Sequence, residues 1–331
     1  MSEWAGRRVL VTGASGFIGS HLTQRLIDNG ASVRVLVRDP KKLIDALRDR
    51  VEVISGDLLQ PDCFAPATRD IDTVFHVAAW LGRPARDDAA YAVNVTATRQ
   101  LAEAARANSV RRLVHTSSIA VYGPVAEGVV TEDSPHRPVY TYAETKSLSE
   151  QAALDAAADQ LEVTILRPAM VYGPRSSAWT ITPVRLAQRR LPVFIGDGRG
   201  FSHPVYVDNL IDAYLLAATR PQAVGEAFTI SDGDVEWRDF FGQYARLAGR
   251  CAYGVPMTLA RSGASILGLV FKVMRRPSVI SRASVGFMSG RARLSTDKAQ
   301  RMLGWSPRIS FDEGMRRTEH WLKETGMIRA A

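Results

Sequence analysis

The sequence predicts an α/β protein: a doubly wound parallel sheet carrying a smaller, mostly helical C-terminal lobe. Three observations predict it. An apolar strand at 9–12 (VLVT) runs into Gly13, Gly16 and Gly19, spaced three apart, ahead of an apolar helical pattern. Short apolar runs then alternate with helical runs through the first half of the chain, the pattern of a parallel sheet with helices on both faces. After Trp237 the alternation stops, and the sequence turns helical and irregular.

The 331 residues exceed a usual single domain, and 46% hydrophobic with 23% charged residues is a soluble globular composition. Cys63 and Cys251 lie far apart and form no ligand pattern, which predicts neither a disulfide framework nor a zinc site. Cysteine usage and the absence of an apolar run in the first eight residues predict a cytoplasmic protein without a secretory signal. The net charge of +8 is spread along the chain, with a local excess between Lys272 and Arg301. No nucleic-acid module accompanies that excess, so no nucleic-acid partner is predicted.

Taken in order, the glycine turn leads into a helix over 17–29, with Leu22, Leu26 and Ile27 on one face and Gly30 as its stop. A strand, a glycine turn and a helix N-terminus let backbone N–H groups and the positive end of the helix dipole meet a pyrophosphate. A second strand at 32–37 ends in Val37-Arg38-Asp39-Pro40. A carboxylate at this strand end takes the adenosine ribose, whereas an arginine accommodates a 2′-phosphate. The carboxylate position is filled by Val37 and followed by Arg38, which favours NADP(H); NAD(H) is the alternative, with Asp39 on the ribose.

A helix carrying Leu43 and Leu47 leads to a strand at 51–54 and the loop Gly56-Asp57-Leu58, where Asp57 faces the adenine edge or caps a helix. The strand at 73–77 ends in Ala78-Ala79, small enough for a ligand to approach closely. A helix over 94–108, a strand at 112–115, a helix over 142–157 and a strand at 163–166 continue the alternation. Turns at 171–175 and 196–200 flank a short helix at 183–190, and a helix at 208–219 leads to a strand at 226–230. The dinucleotide-binding domain is thus expected over 1–170 and 205–233, and the substrate-binding lobe over 171–204 and 234–331.

Tyr142 and Lys146 are four residues apart at the start of a helical run, on one face. A phenol with pKa near 10 is a poor base at neutral pH, and a neighbouring cation favours its phenolate. Upstream, Thr116-Ser117-Ser118 ends a strand, and strand C-termini face the ligand crevice of an open parallel sheet. A hydroxyl there can hold a carbonyl oxygen while tyrosine moves its proton. His21, His76, His115, His136, His203 and His320 show no metal-ligand spacing.

With TGASGFIG at 12–19, HTSSIAVYG at 115–123, YAETK at 142–146, RPAMVYGP at 167–174 and LGWSP at 303–307, the chain resembles the extended short-chain dehydrogenase/reductase superfamily, a Rossmann-fold group, along nearly its whole length. The resemblance implies Tyr142 as general acid/base, Lys146 as its pKa-lowering partner and ribose ligand, and Ser118 as the substrate-orienting hydroxyl, with Ser117 the competing candidate. Asn94 matches a position that supports the site network, or it caps its helix. The cofactor shell so implied is Gly13, Ser15, Gly16, Phe17, Ile18, Gly19, Arg38, Asp57, Leu58, Ala78, Ala79, Ser117, Tyr142, Lys146, Pro168 and Val171. A homodimer through the tyrosine-bearing helix is the family expectation.

Nucleotide-sugar members carry a diphosphate-binding arginine five residues before a VDD-like segment; here that segment is Val207-Asp208-Asn209 and the residue is Ser202, although Arg175 or Arg199 could substitute. The VDN form is more similar to the 3β-hydroxysteroid dehydrogenase branch. The mostly apolar stretch 255–276, ending in basic Lys272, Arg275 and Arg276, would cover an apolar substrate, touch an anionic membrane surface or form an ordinary buried helix. No stretch reaches the roughly 20 apolar residues of a membrane span. The resemblance therefore implies an NADP(H)-dependent oxidoreductase interconverting a ketone and a secondary alcohol on an apolar, sterol-like small molecule. The alternatives are a nucleotide-sugar epimerase or dehydratase, and a redox-sensing binding protein that would not need Tyr142 and Lys146.

Overall fold

A computed structural model describes residues 2–81, 87–158, 161–191, 194–259 and 282–329. Seven strands form one parallel sheet: β1 (Arg8–Thr12), β2 (Ser32–Val37), β3 (Glu52–Ser55), β4 (Thr73–His76), β5 (Arg112–Thr116), β6 (Glu162–Pro168) and β7 (Ala227–Ile230). Their spatial order is 3-2-1-4-5-6-7, every pairing parallel. The order reverses between β1 and β4, which opens a crevice above their C-terminal ends. Thr12 is in register with His76, His76 with His115, and Thr116 with Leu166, so the ends of β1, β4, β5 and β6 lie along one edge.

Alternation along each strand builds two cores. Val9, Val11, Val35 and Val114 pack on one face against Leu22 and Leu26 of α1 (Phe17–Asp28) and against Leu210, Ile211 and Tyr214 of a later helix over Val207–Thr219. Leu10, Leu36, Val74 and Leu113 pack on the other against α2 (Ala97–Ala107) and α3 (Thr141–Ala157). Those two helices meet the sheet through alanines such as Ala102, Ala105, Ala153 and Ala156, all buried, which lets their backbones approach closely. The helix over Val207–Thr219 is α4.

The chain leaves the sheet after Pro168 and returns at β7. In between, Met170–Tyr172 pairs in parallel with Pro204–Tyr206. The lobe contains short pairings that the sequence reading lacked, Phe201–Ser202 with Val235–Glu236 and Arg293–Leu294 with Val129–Val130. Two-residue strands carry too little periodicity to be read from sequence. Its core is aromatic: Tyr172, Tyr206, Phe240 and Phe311 meet ring to ring, and α5 (Trp237–Leu247) supplies Trp237 beside them.

Asn209 of the VDN segment ties the C-terminal tail to α4. Its side chain donates to Ile309 O at 2.8 Å and accepts from Arg308 N and Ile309 N at 3.1 and 3.0 Å, while Trp305 Nε1 donates to Asn209 O at 2.9 Å. The VDN and LGWSP segments therefore act as one fastening. Among the described residues no helix is long and apolar enough to cross a membrane. Of the apolar-basic stretch 255–276, residues 260–276 lie outside the described residues, Lys272, Arg275 and Arg276 among them.

Candidate active site

The glycine turn is shaped by three separate steric demands. Gly13 has φ +76°, and a Cβ there would meet Ala78 N at 2.8 Å, so the β1 and β4 ends close on each other only with glycine. A Cβ on Gly19 would strike the Gly13 carbonyl, fixing α1 against the turn. Gly16 is the helix N-cap in extended conformation, and its Cβ would meet only Gly13 O at 3.2 Å, leaving its outer side toward the crevice. Tight turn, close approach to a phosphate and helix packing are thus divided among three residues. Ser15, Phe17 and Ile18 complete the turn, and Ala78 and Ala79 stay partly exposed at the crevice wall.

At the end of β2, Val37 is buried at 4% exposure, whereas Arg38 points outward, its Nη1 4.0 Å from Asp57 Oδ2. Asp39 is occupied locally, its Oδ1 accepting from Lys41 N at 3.0 Å. Asp57 also accepts from Leu59 N at 3.0 Å and Leu58 is partly buried beside it. Pro168 and Val171 are both buried, Pro168 at the C-terminal end of β6 and Val171 just beyond it.

The tyrosine-lysine pair opens α3. Tyr142 stands beside Ser118, which draws its pKa down, but burial outweighs this and pushes it up to about 12. Lys146 is 2% exposed and donates to Thr116 O at 2.6 Å; burial lowers its pKa to about 8, against the pull of Glu150. What shifts the phenol here is its burial, Ser118 and Tyr140. Lys146 is turned onto the β5 carbonyl, and its remaining N–H donors have no partner among the described residues.

The two serines separate cleanly. Ser118 caps the turn Ile119–Tyr122, accepting from Ala120 N at 3.2 Å, and faces Tyr142. Ser117 is buried and gives its hydroxyl to Glu150. The hydroxyl of Ser117, the competing candidate, is thus engaged by Glu150. Glu150 in turn holds Arg167 by two bonds, at 2.9 and 2.7 Å, and Arg167 Nη1 donates to Tyr122 Oη at 2.9 Å. Burial opposes the Arg167 charge, but Glu150 and Tyr122 raise its pKa overall. Sequence reasoning missed this ion pair. The signal was present: Tyr142, Lys146 and Glu150 repeat at a spacing of four on one helical face.

Asn94 lies in a π-helical stretch, Ala92–Thr96, which follows the helical turn Asp87–Tyr91, so it does not cap a helix start. Its side chain accepts from Trp80 N at 2.7 Å and donates to Trp80 O and Thr145 Oγ1 at 3.1 and 2.9 Å, joining the β4 crevice loop to α3. A buried relay supports it: Thr12 Oγ1 meets His76 Nδ1 at 2.8 Å, His76 Nε2 meets Thr98 Oγ1 at 3.0 Å, and Thr98 donates to Asn94 O at 2.7 Å. His76 and His115 stack at 5.4 Å, and burial, reinforced by Lys146, holds both pKa values down, His76 at about 3. No metal-binding cluster occurs among the described residues.

Ser202 is fully buried and donates to Val235 O at 2.7 Å, so it cannot replace a diphosphate-binding arginine. Arg199 is exposed beside Asp197, and Arg175 donates to Ser20 Oγ at 2.7 Å on α1. Next to the Ser118 turn lies a small cleft lined by Ile119, Tyr122, Val130, Phe201, His203, Phe287 and Leu294.

A glycine cradle at the switch point, a tyrosine-serine pair and a buried lysine at the same sheet edge define a nicotinamide-dinucleotide enzyme of the extended short-chain dehydrogenase/reductase type. The chain belongs to the NAD dependent epimerase/dehydratase family, whose sequence model matches residues 9–231. It is 30% identical to a 2-alkyl-3-oxoalkanoate reductase of Stenotrophomonas maltophilia, over 94% of this chain and 98% of that one. It is 29% identical to the mouse sterol-4-alpha-carboxylate 3-dehydrogenase, decarboxylating, over 94% and 90% of the two chains. The solved structure of MoeE5 in complex with UDP-glucuronic acid and NAD matches with a TM-score of 0.77 at 30% identity, covering 96% of this chain and 99% of that one. The resemblance to the hydroxysteroid dehydrogenase-like branch agrees with these relatives.

Proposed function

We propose that this protein is an NADP(H)-dependent oxidoreductase that interconverts a ketone and a secondary alcohol on an apolar small molecule. The observation that carries the reading is Ser202, buried and bonded to Val235 O at the place where nucleotide-sugar relatives need a cation, with the apolar side chains of Ile119, Phe201 and Phe287 lining a small cleft next to it. Two named relatives act on a 2-alkyl-3-oxoalkanoate and on a sterol carboxylate, both largely apolar, which supports the same class.

Gly13, Gly16 and the first turn of α1 would hold the pyrophosphate, Lys146 the nicotinamide ribose, and Arg38 a 2′-phosphate. When bound, the nicotinamide supplies or accepts the hydride. Ser118 donates to the carbonyl oxygen and polarises it; Tyr142 Oη delivers the proton to that oxygen in reduction and removes it in oxidation. Asn94 positions α3 through Thr145, one turn from the phenol. Two copies would pair across α3, the helix on which Leu148 is exposed.

The test is spectrophotometric. Apolar ketones and UDP-sugars are each supplied with NADPH or NADH, and the absorbance of the reduced nicotinamide is followed. Stoichiometric loss of NADPH with a ketone is the expected result. Conversion of a UDP-sugar with no net change of absorbance would instead establish the epimerase reading that the likeness to MoeE5 favours.

A further inference from the structure

Beyond the redox site, we propose that the lobe docks on an anionic lipid bilayer through the surface where α5 and the helix over Thr182–Gln188 end. The charge of the sequence is concentrated in this part of the chain. Of the 42 basic residues nine, and of the 34 acidic residues none, fall within 240–296, so the rest of the chain is close to neutral. The two helices finish on a common hollow of about 320 Å³, lined by Ala187, Arg190 and Leu191 on one side and by Ala245, Arg250 and Tyr253 on the other. Arg190 N closes the first end on Ala187 O at 3.0 Å, and Arg250 N closes the second on Ala245 O at 2.8 Å. Gly254–Val255 then pairs in parallel with Phe194–Ile195, which holds the two outgoing segments side by side.

Arg185, Arg189, Arg190, Arg246 and Arg250 are all exposed on this surface, and neither 181–196 nor 240–259 contains a carboxylate. Arg246 and Arg250 give their bonds to Gln243 Oε1 and Gly249 O, both neutral, whereas Arg199 and Arg238 pair with Asp197 and Glu236. Arg185 and Arg246 stand in the last helical turns, where a cation offsets the helix dipole. Arg189, Arg190 and Arg250 lie past those turns and are surplus to that role. Exposed apolar side chains accompany them: Leu191, Tyr253 and Leu259 are 44%, 46% and 63% exposed. Cations alone suit any polyanion. A nucleic acid offers phosphates but no apolar layer for two leucines, whereas an anionic bilayer offers both, with tyrosine favoured at the headgroup boundary. Arginine stems can lie along that apolar layer while their heads reach phosphate. The contact is peripheral, since no described helix is long and apolar enough to cross a membrane. On the ketone reading, docking places the enzyme at the phase in which an apolar substrate collects; the docking itself does not depend on that reading.

The experiment sediments the full-length protein with large unilamellar vesicles of phosphatidylcholine alone and of phosphatidylcholine mixed with phosphatidylglycerol. The wild type is expected to partition about tenfold or more in favour of the anionic vesicles, a preference that falls as salt is added. Arg189→Glu/Arg190→Glu/Arg250→Glu should lower binding to the anionic vesicles by about tenfold or more. Arg69→Glu/Arg301→Glu/Arg308→Glu changes the net charge equally at exposed sites elsewhere and should stay within about threefold of the wild type. Leu191→Ser/Leu259→Ser keeps every charge and should weaken binding severalfold; it also keeps the test open should the first arginine variant fail to fold. Equal partition of the wild type to both vesicles, equal loss in the two charge variants, or unchanged binding in the leucine variant overturns the docking surface. Binding of a single-stranded RNA oligonucleotide without vesicle binding overturns it too, by assigning the arginines to a nucleic acid. No turnover is read, so a protein that docks but reduces no ketone would sink the ketone reading alone, and one that reduces ketones without docking would sink the surface alone.

Discussion

Lys146 Nζ donates to the Thr116 carbonyl at 2.6 Å, a cation on a backbone dipole in a buried position, with no carboxylate bonded to it. Burial takes its pKa from 10.5 to about 8. Between those values the unfolded chain holds a proton that the folded chain has released, so stability rises with pH across the window and the cost of burying the cation is complete below pH 8. Lys146→Met keeps most of the stem and removes the charge. It is expected to stabilise the fold by about 2 kcal/mol at pH 7, a gain that disappears toward pH 10, while turnover is lost. Urea unfolding at both pH values reads this directly. A variant less stable than wild type at pH 7 would show that the Thr116 bond outweighs the burial.

Tyr142→Phe should lower kcat by about a thousandfold while leaving dinucleotide affinity near wild type, because only the proton transfer is removed. Ser118→Ala should cost roughly ten- to a hundredfold in kcat, the scale of one polarising donor. Ser117→Ala should keep kcat within about threefold and lower stability by about 1 kcal/mol, since its partner is Glu150 and not the phenol. Steady-state kinetics paired with thermal melts separates the two serines. A reversed ranking would remove Ser118 from its role.

His76 and His115 remain neutral inside the sheet, His76 with a pKa of about 3. Below pH 6.5 the unfolded chain takes protons that these rings refuse, so stability falls as pH drops, by about 1.4 kcal/mol per pH unit for each ring. His76→Gln should therefore make the fall between pH 6 and pH 4 shallower by about one proton. Identical slopes of unfolding free energy against pH in both proteins would contradict the buried neutral assignment.

The sheet was legible because its strands are short apolar runs separated by helical ones, and the glycine turn because Gly13 and Gly19 answer steric contacts visible as spacing. Tyr142 and Lys146 were legible for the same reason, four residues apart on one helix. Glu150 shares that spacing, but its pairing with Arg167 was not legible, since α3 and β6 are brought together only by the fold. For Asn94 the network role and the cap were both open in the sequence, because a π-helical stretch has no sequence period of its own. The separation of Ser117 from Ser118 rests on opposite side-chain directions at a strand end, which adjacent identical residues cannot signal.

The Glu150–Arg167 pair predicts strong non-additivity. Both side chains are almost wholly buried, at 5% and 8% exposure. Glu150→Leu alone strands a buried guanidinium and should cost about 3–5 kcal/mol. The double variant Glu150→Leu/Arg167→Met removes both charges and should recover more than half of that loss, short of full recovery because Arg167 also serves Tyr122 Oη and Glu132 O. Chemical denaturation of the three variants closes the cycle. Additive losses would mean that the pair is not coupled.

Cofactor preference turns on Arg38. Its guanidinium is 66% exposed and only loosely placed, 4.0 Å from Asp57 Oδ2, while the neighbouring Asp39 is engaged as a cap on Lys41 N. A carboxylate committed to its own turn is poorly placed for a ribose diol, whereas a free guanidinium suits a 2′-phosphate. Arg38→Ala should weaken NADPH binding about tenfold and leave NADH within about twofold. Asp39→Ala should change neither affinity by more than about twofold, apart from a small loss of stability from the missing cap. Fluorescence titration of both reduced dinucleotides against the three proteins is decisive. Equal loss of both affinities in Arg38→Ala, or loss of NADH alone in Asp39→Ala, would assign the site to NAD(H).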